Sequence, residues 1–332
     1  MWNWRLLLLT GDHHYADAIE RALYNGILSS PALDGQHYFY VNPLLLRSGG
    51  AFRQSTNPPE DSEVDRSGNP RPEWHEVACC PPNVMRLFAS LAHYLTTTDA
   101  RGIQIHQYAP AEINLAFAPG RRAVLQMETD YPWQGRVRIS IQESDGAPWQ
   151  MSLRIPDWCP SARLTVNGEA TEAEQGEVRE GYVVLDSAWA CGDVVELDLS
   201  MAPSLVEPHP RVDSVRGSLA IQRGPLVYCL EERDQADGAR LLDITIDPGQ
   251  PLRSHWREDL LGGVLVVEAE GYGLDPQAWR GSLYKPLQPM QPQPADVDQT
   301  AIRLVAVPYY AWGNRGLGGM RVWIPKHDLS RI

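Results

Sequence analysis

Cys79 and Cys80 are neighbours in the chain, and Pro81, Pro82 and Asn83 follow them directly. As thiolates, their side chains would be nucleophiles and soft metal ligands. Val84, Leu87, Phe88, Leu91, Tyr94 and Leu95 then recur at three-to-four spacing, which predicts a helix with one apolar face. Proline is tolerated in the first helical turn, because the N–H it lacks would be unpaired there. Both sulfurs are therefore expected at a helix mouth, where partial positive charge favours the thiolate. The competing reading is a pair of buried apolar thiols, the commoner fate of free cysteine. A disulfide between neighbours would strain the intervening peptide, and the usual zinc spacing of roughly two to four residues between cysteines is absent.

Other groups with chemical potential are weaker. His75 reads as a loop histidine or a contributor to the cysteine site, and Glu73 and Glu76 as solvated loop charges or, less readily, ligands or proton donors. No His-x-x-x-His pair exists. Residues 313–319 are glycine-rich but do not link a strand to a helix, so they predict a turn between strands, not a phosphate cradle. Eleven Trp and thirteen Tyr beside four Phe suit either sandwich cores or the flat faces of sugar rings.

Composition narrows the class. With 332 residues the chain suits two or three domains, and a formal net charge of −13 argues against nucleic-acid partners. Five cysteines are an odd number, and Cys159, Cys191 and Cys229 read as scattered buried free thiols, which fits a reducing compartment. No apolar run reaches membrane-spanning length, and Leu6 to Leu9 is too short for a signal peptide, so a cytoplasmic protein is expected.

The elements that position the cysteines come in order. Met1 to Leu9 is apolar from its first residue and lacks a capping side chain, as the middle of a buried helix would. Tyr15 to Leu23 predicts a second helix stopping at Asn25-Gly26. Ile27 to Ser30 and His37 to Val41 read as short strands, and Arg47 to Pro72 as a long loop. The cysteine helix is expected to end near Thr96. Beyond Arg101, short alternating segments separated by Asp145-Gly146, Asn167-Gly168 and Cys191-Gly192-Asp193 predict regularly spaced strands. A boundary falls at Pro203 to Pro210, a second β region follows, and Pro286 to Pro294 is a low-complexity loop.

The ordered motifs resemble glycoside hydrolase family 127, the β-L-arabinofuranosidase type. They are Trp2-Asn3-Trp4-Arg5 with Thr10-Gly11-Asp12, then Tyr15-Ala16-Asp17 with Glu20-Arg21-Ala22-Leu23-Tyr24-Asn25. Phe39-Tyr40-Val41-Asn42-Pro43-Leu44, Ala78-Cys79-Cys80-Pro81-Pro82-Asn83, Gln222-Arg223-Gly224-Pro225-Leu226 and Pro308-Tyr309-Tyr310-Ala311-Trp312 continue the series. The resemblance implies a mixed α and β fold: the C-terminal fragment of an (α/α)6 barrel over residues 1–100, then two all-β, jelly-roll-like sandwiches over 101–203 and 204–332. It implies a retaining exo-β-L-arabinofuranosidase acting on arabinofuranose-containing glycans. Cys79 would be nucleophile and zinc ligand, Cys80 a second zinc ligand, and Tyr40 a residue near the sugar.

The family's remaining zinc ligands lie in a Glu-Thr-Cys motif ahead of the Trp-Asn-Trp stretch, and its general acid/base is a Glu further ahead. Neither is present in these 332 residues. The expectation is an incomplete barrel with impaired turnover, whose first helices expose apolar surface and invite association, including a homodimer. A non-catalytic carbohydrate-binding or oligomerising β-sandwich protein is the alternative.

Overall fold

The computed structural model describes residues 1–48, 71–73, 75, 79–170, 181–236, 239–274, 281, 283–284, 299–316 and 318–327. Most of the loop expected from Arg47 to Pro72, Glu76, and the 286–294 stretch lie outside them. The chain is strand-rich, with few helices. It divides into two compact units: Met1–Tyr24 with Ala78–Ala202, and Asn25–Val77 with Pro203–Ile332.

In the first unit, α1 (Trp2–Thr10) ends at Gly11, whose φ of 71° is the left-handed conformation of a helix stop. Asp12 caps α2 (His13–Arg21) by accepting the His14 N–H. Only Leu7 of α1 is buried, while Trp2, Leu8 and Leu9 are exposed. The third helix, α3 (Cys80–Ala89), stops well short of Thr96. The Ser90 hydroxyl donates back to the Arg86 and Leu87 carbonyls, and one 3-10 turn (Leu91–Tyr94) follows. Thr96–Asp99 is then a strand, antiparallel to Gly102–Ile105, as a run of β-branched threonines favours.

That pair belongs to a four-stranded sheet with Trp149–Arg154 and Tyr182–Ser187. A six-stranded sheet, built largely on Arg121–Thr129, Arg136–Ser144 and Val194–Leu199, faces the same core. Alternation explains the sandwich. Leu125 and Met127, Val137, Ile139 and Ile141, and Val195, Leu197 and Leu199 turn inward onto Ile103, Ile105, Trp149, Met151, Leu153 and Trp189. Each such buried side chain stabilises the fold by roughly 1.5–3 kcal/mol relative to exposure.

Among the described residues, the second unit is built on one hydrogen-bonded network of ten strands, with the ribbon of Val264–Leu274 and Gln299–Pro308 at its centre. Leu45–Leu46 joins this network against Met320–Arg321. The strands expected at Ile27–Ser30 and His37–Val41 do not form; one bridge pairs Pro31 with Tyr38. Side-chain packing fixes this segment instead. The fully buried Arg71 lies 3.9 Å from the Phe39 ring centroid and donates to the carbonyls of Ser29 (3.2 Å), Ser30 (3.3 Å) and Trp312 (2.8 Å). Nor does the chain stop at Asn25-Gly26. Ala22–Ile27 is a π-helical turn, and the buried Asn25 amide donates to the Pro225 carbonyl (2.8 Å) and accepts from the Val227 N–H (2.7 Å).

All five cysteines are free thiols, and Cys229 is buried as expected. Cys159 is only half-buried and Cys191, in the turn before Val194, is exposed. Among the described residues, no helix is long and apolar enough to cross a membrane.

Candidate active site

Cys80 opens α3 and Cys79 is its N-cap, so both sulfurs stand at the helix mouth, as the sequence predicts. Cys79 is exposed and Cys80 half-buried, which removes the reading of two buried apolar thiols. The Asn83 side chain donates to the Cys79 carbonyl at 2.8 Å, and Arg86 donates to Asn83 at 3.0 Å. This chain of contacts along one helix face fixes the backbone that carries the nucleophile candidate.

The electrostatics are less favourable than a plain helix mouth. Pro81 and Pro82 occupy the first turn and remove two of the N–H groups that would face an anion. Partial burial, reinforced by the Cys79 sulfur, pushes the Cys80 thiol up from its ordinary range. The helix alone therefore does not make Cys80 a thiolate. A bound cation would.

The two sulfurs lie 3.8 Å apart. Two thiolates at about 2.3 Å from a tetrahedral zinc are separated by about 3.8 Å. The donor chemistry and spacing of Cys79 and Cys80 thus fit two adjacent positions of such an ion. Among the described residues, no third His, Cys, Asp or Glu clusters with both sulfurs.

Tyr40 lies in the second unit, its ring 5.7 Å from that of His75. His75 lies in a loop, as expected, and is buried there: its Nε2 is 3.1 Å from the Tyr38 carbonyl and its ring packs edge-on to Tyr38. Glu73 is exposed, 3.6 Å from His37.

One polar cluster escaped the sequence reading. Arg154, fully buried at the end of the Trp149–Arg154 strand, donates to Asp17, to Glu20 (2.5 Å) and to the His106 carbonyl (2.5 Å). Glu20 also accepts from Tyr131 (2.5 Å) and from Trp158 Nε1 (2.8 Å). Together these bonds anchor α2 to the β-sandwich of its unit. The only sequence signal is an arginine amid the apolar alternation of Trp149–Ile155.

Known proteins are similar to this chain in sequence and in fold. Residues 1–93 match the GH127 β-L-arabinofuranosidase catalytic domain, 102–201 its middle domain and 203–325 the glycoside hydrolase family 127 C-terminal domain. The chain belongs to glycoside hydrolase family 127. Among its family 127 relatives is the non-reducing end β-L-arabinofuranosidase of Bifidobacterium longum subsp. longum, 32% identical over 97% of this chain and 47% of that protein. The crystal structure of a GH127 β-L-arabinofuranosidase from Geobacillus stearothermophilus T6 superposes with a TM-score of 0.83 at 36% identity, over 98% of this chain and 48% of that one. Another solved glycoside hydrolase gives a TM-score of 0.84 at 33% identity, over 98% of this chain and 50% of its own. The family 127 chain described here thus spans about half the length of the relatives it matches. Both cysteines and Tyr40 fall within the part matched by the catalytic domain.

Proposed function

We propose that this chain carries the nucleophile of a retaining exo-β-L-arabinofuranosidase, with Cys79 as the attacking group. The observation that carries the reading is the 3.8 Å separation of the Cys79 and Cys80 sulfurs at the start of α3. The names of the relatives supply the substrate class, an arabinofuranose-containing glycan. When bound, zinc would hold both sulfurs as thiolates at neutral pH.

The chain's own residues then act in order. Asn83 holds the Cys79 backbone at the helix mouth, leaving its exposed sulfur open to a sugar. The Cys79 sulfur gives an electron pair to the anomeric carbon as the bond from that carbon to the leaving oxygen breaks, and the departing oxygen takes up a proton. Water then attacks the same carbon, loses a proton, and returns the electron pair to sulfur as free arabinofuranose leaves. Two displacements restore the starting configuration, as they do in carboxylate glycosidases. Tyr40, with its ring against His75, is proposed to lie near the sugar.

Residues 1–100 are proposed to be part of an (α/α)6 barrel, followed by sandwiches over 101–203 and 204–332. The 332 residues alone are proposed to turn over slowly. Proton donation to a leaving group contributes about 10²–10⁴-fold, and the resemblance assigns that step to a Glu outside these 332 residues. The exposed Trp2, Leu8, Leu9, Met85 and Phe88 support association through the helical face, including a homodimer. The test compares an aryl β-L-arabinofuranoside bearing a highly acidic leaving group with an alkyl one, in the presence of zinc. Hydrolysis of the aryl compound alone, lost in Cys79→Ser, is expected. Equal rates on both would refute the impairment, and a rate that survives Cys79→Ser would remove Cys79 from its role.

A further inference from the structure

We propose that His13, Asp17 and Asp157 form a second divalent-metal site, built without the cysteine pair, which pins α2 to the segment following the Trp149–Arg154 strand. His13 and Asp17 are four residues apart on α2, so they share one helix face. Asp157 comes from the loop beyond the strand, and its Oδ1 lies 3.3 Å from His13 Nε2. One ligand atom from each of the three residues falls within 4.8 Å of the others.

Two further features point to a cation rather than to a plain ion pair. Asp17 Oδ2 is buried without a well-aligned hydrogen bond, although Asp17 Oδ1 is bonded to Arg154 and the Asp157 backbone N–H stands close to the carboxylate. A buried carboxylate oxygen so poorly paired is costly unless something positive meets it. Arg154 does not cancel the local charge, because its single guanidinium is shared with Glu20 while Asp12 and Asp157 add further carboxylates.

The histidine is also set as a ligand would be. Its Nε2 faces Asp157, while its Nδ1 lies 3.6 Å from the Asp12 carboxylate. That distance is beyond hydrogen-bond reach, and the Asp12 Oδ1 is engaged instead by the His14 N–H and by His14 Nδ1 at 2.7 Å. Gly181 holds the other side: at its φ of +76°, a Cβ there would come within 2.2 Å of the His13 ring. One imidazole with two carboxylates suits Mn²⁺, Fe²⁺, Co²⁺ or Zn²⁺ better than Ca²⁺ or Mg²⁺, which prefer all-oxygen shells.

The test uses the full 332-residue chain as the Cys79→Ser/Cys80→Ser double variant, titrated calorimetrically with Zn²⁺. One equivalent should bind and raise the thermal midpoint. Adding His13→Ala or Asp157→Asn should weaken binding at least tenfold, as loss of a supporting group alone costs about 10–100-fold, and abolish the thermal shift. Both of these side chains are at the surface or near it, whereas Asp17 is left intact because it holds Arg154. In the wild-type chain, Mn²⁺, which avoids sulfur, should show the same dependence on His13 and Asp157. No stoichiometric binding, or binding indifferent to both substitutions, would overturn the site. Because Cys79 and Cys80 are absent from the double variant, neither outcome depends on the role of Cys79.

Discussion

His106 gives the sharpest prediction about stability. It is buried, with Nδ1 2.6 Å from the Tyr182 hydroxyl and Nε2 2.7 Å from the Thr97 hydroxyl. Burial first, and then the Arg154 charge, lowers its pKa from 6.5 to about 3. Below 6.5 the unfolded imidazole therefore takes up a proton that the folded one refuses until about 3. Its contribution to stability is complete above 6.5 and is lost as the pH falls through that window. At pH 5, linkage between those two values gives a loss of about 2 kcal/mol relative to pH 8. The perturbation is His106→Gln, which keeps a donor and an acceptor but cannot titrate. Urea unfolding of both proteins at pH 5 and pH 8 supplies the measurement. The wild type should lose about 2 kcal/mol more on acidification than the variant. Equal acid losses would refute the argument.

Three further outcomes follow from the packing. Arg154→Met should destabilise the protein by about 3–5 kcal/mol, because it leaves Asp17 and Glu20 buried without their cation; thermal or urea unfolding checks it, and a change below about 1 kcal/mol would contradict it. Gly135→Ala should cost about 1–3 kcal/mol or more, since a Cβ there would meet the Leu199 carbonyl oxygen at 1.9 Å; a neutral effect on the unfolding midpoint would show that the two backbones can part freely. Asn25→Leu should loosen the π-helical turn by stripping partners from the Pro225 carbonyl and the Val227 N–H; faster amide exchange at Val227 is the expected sign.

The strands were the most legible part of the sequence because their signal is local. Arg121–Thr129 and Val194–Leu199 alternate cleanly, and only one face of each can be buried. The mouth of α3 was legible for the same reason, through Pro81 and Pro82 followed by an apolar stripe. What failed depended on distant partners. Asn25-Gly26 has the residue types of a helix stop, yet partners at Pro225 and Val227 carry the chain through it. His75 does lie in a loop, as its surroundings in the chain suggest, but its burial against Tyr38 and Tyr40 had no local signal. The preference for a thiolate at Cys80 was overstated, because burial and the missing proline N–H groups oppose the helix mouth. His13 and Asp157 stand 144 residues apart, so no motif of the chain announces them.

The central claim is that the Cys79 sulfur bonds to the sugar, and it is tested most directly by mass. The zinc-loaded chain is mixed with an aryl β-L-arabinofuranoside whose leaving group departs without protonation, quenched in acid, digested and mapped. The account predicts one pentofuranosyl unit on Cys79, and none anywhere in Cys79→Ser. Product released with no adduct on Cys79, or an adduct on another residue that persists in Cys79→Ser, would contradict it.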